Sequence, residues 1–221
     1  MSAGGELNPW PAFADMLFML FVTTMVASVV ITSWAVTSEE KLRGCGSSKV
    51  FMEDFADCLG ANYVETDNAC KVSLGDSRLK FATNQVMLAP AFQQYGQEVA
   101  TCLADSVAVL ATVDNPDVLQ SIEFISIDGH TDCQGNDINN VRLGAGRAST
   151  IYEMFLEAVE ERELEPSVRA AVLGKVAVRS FGKARPLPGS PCAADPDGGK
   201  FAEHPADRRV EIAVTSRLQL D

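Results

Sequence analysis

Residues 16–36 are an unbroken run of 21 uncharged and mostly apolar residues. About 20 such residues, rising about 1.5 Å each, span the hydrocarbon core of a bilayer, so the run reads as one membrane-crossing helix. Asp15 stands immediately before it and is the only charge between Ala12 and Val36. A carboxylate within such a helix is costly and points to ion or proton movement. In the first turn, near the headgroups, an acid instead favours the helix N-terminus and costs little. The helix alone leaves both readings open. Pro9-Trp10-Pro11 marks the helix start, with Trp10 suited to the interface and Pro11 to the first turn, and Trp34 anchors the other end.

The chain has 221 residues, which beyond the apolar helix leaves room for one domain of ordinary size. Its net charge of −12 disfavours nucleic acid or an anionic lipid surface as partner of the remaining chain. All six cysteines follow the apolar run, and an even number confined to that side fits an oxidising compartment. There is no CxxC spacing and there are only two histidines, so neither a metal nor a cofactor is expected. Six cysteines allow about 15 pairings; the pairs expected are Cys58 with Cys70 and Cys133 with Cys192. Lys41 and Arg43 lean weakly towards a cytoplasmic C-terminus. Long domains translocate despite such biases, and the cysteines place the C-terminal domain outside the cytoplasm. A cleaved signal peptide fits less well, because the run is too long and lacks a basic leader.

The organisation expected is a short cytoplasmic tail at 1–11, a transmembrane helix at 12–36, a juxtamembrane tether or plug at 37–67, and an α+β domain at 68–221. Within the tether, Lys49–Leu59 carries Val50, Phe51, Phe55 and Leu59 at helical spacing, as a plug or neck helix or as a docking helix. Strands are predicted at Cys70–Leu74, Ile122–Asp128, Lys175–Phe181 and Arg209–Thr215, with helices at Ala91–Val113 and Asn139–Glu163. Gly182–Pro205, rich in Pro, Gly and Asp, reads as an irregular loop.

The run Ile127-Asp128-Gly129-His130-Thr131-Asp132 is followed by Gly135, Asn140, Leu143, Arg147 and Ala148, and later by Arg208-Arg209-Val210-Glu211-Ile212. Over roughly residues 70–216 this ordered set resembles the OmpA-like peptidoglycan-binding domain, and it departs from the common pattern at Gly144, usually Ser, and Asp207, often Asn. The resemblance implies helices packed on a mixed β-sheet and a site for the diaminopimelate side chain, whose ammonium and carboxylate lie close together. Asp132 would accept from the ammonium, Arg147 would grip the carboxylate with two parallel bonds, Asn140 would offer donor and acceptor, and Arg208 would close the site. From charge pattern alone, Asp132 and Arg147 read instead as a structural ion pair capping the helix, and it is the resemblance that turns them to a ligand. His130 has no second histidine or nucleophile near it in sequence and reads as a packing residue; nothing suggests an enzyme.

A membrane helix with an early Asp, a tether and an OmpA-like domain together resemble the B subunits of ion-driven stators such as the flagellar MotB family. That resemblance gives Asp15, in Phe13-Ala14-Asp15-Met16-Leu17, the role of proton carrier. It also implies as partners a MotA-like multi-helix membrane subunit, expected as a pentamer around a homodimer of this chain, and peptidoglycan. At about 100° per residue, Met19, Val22 and Val26 share the Asp15 face, while Thr24 and Ser28 lie roughly opposite. Thr24, Ser28 and Thr32 form a stripe on which two helices could pair, or their hydroxyls bond back to their own helix. The short, nearly uncharged tail and the cysteine-rich domain are more similar to the B subunit of the Zorya antiphage system than to flagellar forms. The expectation is a single-pass inner-membrane subunit of a proton-driven motor with its C-terminal domain in the periplasm. The alternatives are a flagellar or other stator, and a passive envelope anchor without ion transport.

Overall fold

The computed structural model describes residues 14, 16–30, 48–65, 69–75, 78–112, 120–194 and 204–216. The chain divides into two units, Met1–Leu42 and Arg43–Asp221. In the first, residues 16–30 form a helix, α1, exposed along its length. The Thr24 hydroxyl donates to the Phe21 carbonyl at 2.9 Å and that of Ser28 to the Thr24 carbonyl at 2.8 Å. These are the back-bonds to the helix itself that were one of the two expectations for the stripe. Among the described residues no helix is long and apolar enough to cross a membrane. Asp15 and Thr32 lie outside the described residues.

The second unit is α+β. Its strands are Tyr63–Glu65 (β1), Cys70–Gly75 (β2), Ile122–His130 (β3), Val176–Gly182 (β4) and Arg209–Ser216 (β5). They form one mixed sheet in the order β1-β2-β5-β3-β4, with β3 and β4 parallel and every other pair antiparallel. Parallel neighbours need a crossover. Here it is made by the helices Asp137–Glu160 and Pro166–Leu173, which with the earlier helices Lys49–Cys58 and Gln93–Thr112 are numbered α4, α5, α2 and α3.

Periodicity explains the packing. Val99, Leu103 and Val107 recur every four residues on α3, and Ile151 and Phe155 do so on α4, so each helix presents an apolar stripe. These stripes share one core with Ile125 and Ile127 of β3 and Ile212 and Val214 of β5. The start of α4 is fixed by its N-cap, since the Asn136 side chain accepts from the Asn139 backbone amide at 2.8 Å. Pro166 opens α5, where a missing amide costs nothing. Neither β1 nor α5 was expected from the sequence.

The stretch Lys49–Leu59 docks. Phe51, Met52, Phe55 and Ala56 of α2 are buried in the core, so this helix and β1 belong to the compact unit rather than to a free tether. Cys58, at the end of α2, is bonded to Cys102 of α3, which corrects the expected Cys58–Cys70 pair. The physical reason is that the buried face of α2 lies against α3, placing the two Cα atoms 5.9 Å apart. Cys70 is disulfide-bonded as well, and the Cys133–Cys192 bridge is present as expected.

One close approach decides where α4 lies. A Cβ on Gly129 of β3 would fall 1.9 Å from the Gly144 carbonyl oxygen, and one on Gly144 would fall 2.9 Å from the Gly129 carbonyl oxygen. Backbone meets backbone there, which brings the first turns of α4 down onto the end of β3.

Candidate ligand-binding site

The carboxyl end of β3 and the first turns of α4 enclose one side of a cavity of about 250 Å³ lined by Thr83, Asn84, Asp132, Gln134, Gly135, Asn140, Leu143, Arg147 and Arg208. All four residues that the sequence placed at a ligand site, Asp132, Asn140, Arg147 and Arg208, are among them. They come from three separate segments, and each is at most 9% exposed. Their charged groups face a small polar cavity under low solvent screening, where pairing with an opposite charge is strong.

Each is held. Asp132 lies in the turn after β3, where its Oδ1 accepts from the Gln134 amide at 3.3 Å. Its Oδ2 lies 3.6 Å from Nη1 of Arg208. Arg208, just before β5, is thus an ion-pair partner of Asp132. Asn140 donates its side-chain amide to the Gln134 carbonyl at 2.7 Å, which fastens the turn to α4 and leaves the Asn140 carbonyl oxygen as an acceptor. Arg147 is 1% exposed. Its Nε donates to the Gln85 carbonyl at 3.3 Å and its guanidinium lies 5.2 Å from the Phe81 ring centre.

Sequence reasoning missed Thr83 and Asn84. They sit in the segment between Phe81 and Leu88, whose ends form an isolated antiparallel bridge. Arg147 fastens this loop through Gln85, and Thr150 fastens it again by donating to the Val86 carbonyl at 2.9 Å. Asn84 has φ +57°, a left-handed conformation that Asn adopts more readily than most residues. The polar run Thr83-Asn84-Gln85, between Ala82 and Val86, is the available signal for that turn.

His130 points away from this chemistry. It is 1% exposed, stacks on Phe181 at 5.3 Å and approaches Glu211 with Nε2 at 3.4 Å from Oε2. Burial pushes the Glu211 carboxyl up. The hydrogen bond and charge of His130, and the Arg209 guanidinium at 2.7 Å, pull it down further and leave it well below the usual carboxylate range.

With two guanidiniums, one carboxylate and one side-chain carbonyl oxygen, the cavity can hold a small ligand that carries an ammonium and a carboxylate close together. No protein-family model matches the chain, and no curated protein matches it. Solved structures similar to it include the periplasmic domain of MotB, with 14% identity over 73% of this chain and 70% of that one and a TM-score of 0.45. A putative MotB-like protein from Desulfovibrio vulgaris is 19% identical over 76% of this chain and 96% of that one, with a TM-score of 0.46. The cell wall anchor of the T6SS from Pseudomonas aeruginosa is 16% identical over 76% and 96%, with a TM-score of 0.43.

Proposed function

We propose that this chain is a cell-wall-anchored B subunit of a proton-driven membrane motor, of the kind found in the Zorya antiphage system. One observation carries the anchoring half. Asp132, Asn140, Arg147 and Arg208, spread over 77 positions of sequence, line a single cavity. Asp132 accepts from the ammonium of a diaminopimelate side chain, Arg147 binds its carboxylate, Asn140 adds an acceptor, and Arg208 closes over the acid. The site binds and holds; it performs no reaction.

The motor half rests on the sequence. Asp15 at the head of the apolar run takes up a proton, and the neutral acid crosses the hydrophobic surroundings at a lower cost than the ion. The chain acts as a homodimer in the inner membrane with its C-terminal domain in the periplasm, inside a multi-helix subunit, and the wall anchor keeps the pair from turning with its surroundings. Another stator, flagellar or otherwise, would use the same parts.

Two measurements test the two halves. Calorimetry with the tripeptide L-Ala-γ-D-Glu-meso-diaminopimelate is expected to show binding that Arg147→Ala weakens by about 2 kcal/mol, roughly 30-fold, the size of a lost charged hydrogen-bond pair. Unchanged affinity would remove Arg147 from the site and the anchoring role with it. Asp15→Asn is expected to abolish phage protection or motility while leaving membrane insertion and assembly intact. Full activity of that variant would reduce the chain to a passive wall anchor.

A further inference from the structure

The segments around the cavity are tied down by local bonds. The 81–88 loop is held by Arg147 and Thr150, the turn after β3 by Asn140, and α4 by its Asn136 cap. Arg208 stands between a short turn, Pro205–Asp207, and the first residue of β5, and its backbone amide donates to the Pro205 carbonyl at 3.1 Å. It follows Asp207 directly in the chain.

Asp207 is fully buried. Its Oδ1 accepts from the Leu187 amide at 2.8 Å, and its Oδ2 accepts from the Ser190 hydroxyl. Nδ1 of His204 lies 3.3 Å from Oδ2, and Nη1 of Arg209 lies 3.9 Å from Oδ1. The Ser190 hydroxyl in turn accepts from the Cys192 amide at 3.0 Å. Cys192 is bonded to Cys133, the residue after Asp132. A closed circuit results. It leaves Asp132 through Cys133, crosses the disulfide to Cys192, passes through Ser190 to Asp207, and returns through Arg208 to Asp132 across 3.6 Å. A disulfide and a buried carboxylate thus fix the two sides of the cavity relative to each other.

We propose that the Cys133–Cys192 disulfide and Asp207 are the positioning elements of the ligand site, setting the distance between Asp132 and Arg208 and through it the affinity for the zwitterionic side chain. This rests on the wall-binding reading above. Pre-organised charges bind without first being ordered, so loosening either side transfers that ordering cost to the ligand. The second bridge, Cys58–Cys102, joins α2 to α3 and does not enter the circuit. It serves as the control for stability alone.

The test uses the full chain in detergent and the same tripeptide, below the unfolding temperature of every variant. Cys133→Ala/Cys192→Ala is expected to bind at least tenfold more weakly, and Cys58→Ala/Cys102→Ala to bind as the unaltered chain does, although both lose thermal stability. Within the circuit, Asp207→Ala is expected to lose at least tenfold. Asp207→Asn, which keeps an acceptor for the Leu187 amide and turns a donor towards the Ser190 hydroxyl, is expected to bind at least fivefold more tightly than Asp207→Ala. If the Cys133→Ala/Cys192→Ala protein does not fold, the two Asp207 variants decide alone. No binding by the unaltered chain overturns the wall-binding reading and this inference with it. Binding by the unaltered chain, with equal affinity in Cys133→Ala/Cys192→Ala or in Asp207→Ala, overturns the inference alone.

Discussion

From Ile125 onward, the two sides of β3 are buried to the same degree by opposite means. Ile125 and Ile127, each 0% exposed, join the apolar core with α3 and α4. The alternate residues Ser126, Asp128 and His130 are at most 3% exposed, yet what meets them is polar and charged. Arg179 of β4 donates from Nε to Asp128 Oδ1 at 2.8 Å and from Nη2 to Oδ2 at 2.7 Å, with a further bond to the Ser126 hydroxyl at 2.7 Å. The Arg179 guanidinium lies 5.0 Å from the Phe124 ring centre and 5.4 Å from that of Phe181. On β5, Glu211 is shared by Lys71, His130 and Arg209. Burial on the first face is stabilised by apolar area and packing. On the second it is tolerated only because each charge has a partner. A single deletion therefore means different things on the two faces: a cavity on one, an abandoned charge on the other.

That contrast can be broken most severely on the apolar side. Ile127→Ala is expected to cost about 3–4 kcal/mol in urea unfolding, since the tightly packed site collapses only partly. On the charged side, Arg179→Ala leaves Asp128 buried and without its guanidinium. Because the Arg179 side chain is 36% exposed and water can partly replace it, the expected loss is smaller, about 2 kcal/mol. Replacing both, as Asp128→Ala/Arg179→Ala, is expected to recover part of that loss. If the double variant is as unstable as the sum of the singles, the pair is not the unit of stability on this face.

The smallest effect is the one that separates the faces by pH. The Glu211 carboxyl titrates below its ordinary value of 4.5 in the folded chain. Its contribution is present above that value and is lost as the pH falls below it towards the folded pKa. Urea midpoints of the unaltered chain are expected to drop between about pH 5 and pH 3 more steeply than those of Glu211→Gln. Parallel curves would mean that Glu211 gains nothing from its partners.

Much of this architecture is legible in the sequence because it is periodic. The 3.6-residue stripes of α3 and α4 and the alternation in β2 mark the core, and the ordered residues around Gly129-His130-Thr131-Asp132 mark the site. What escaped notice is short or depends on topology. β1 has three residues and α5 has eight, too few to show a period. Cys102 became the partner of Cys58 because α2 folds back onto α3, and nothing in the spacing of the cysteines says so. Thr83 and Asn84 reach the cavity from a loop without chemically conspicuous residues. Nor does sequence tell which set of alternate β3 residues faces the helices, since Asp128 and His130 are as buried as Ile127.

The bridge between Cys58 and Cys102 has a mechanical consequence. It ties the last residue of α2 into the middle of α3, a helix of 20 residues that shares the core with α4 and the sheet. Peeling α2 away would strip Phe51, Met52 and Phe55 from the core one turn at a time. The bridge stops such fraying at Cys58, and beyond that residue any load on the helix passes through a covalent bond into α3.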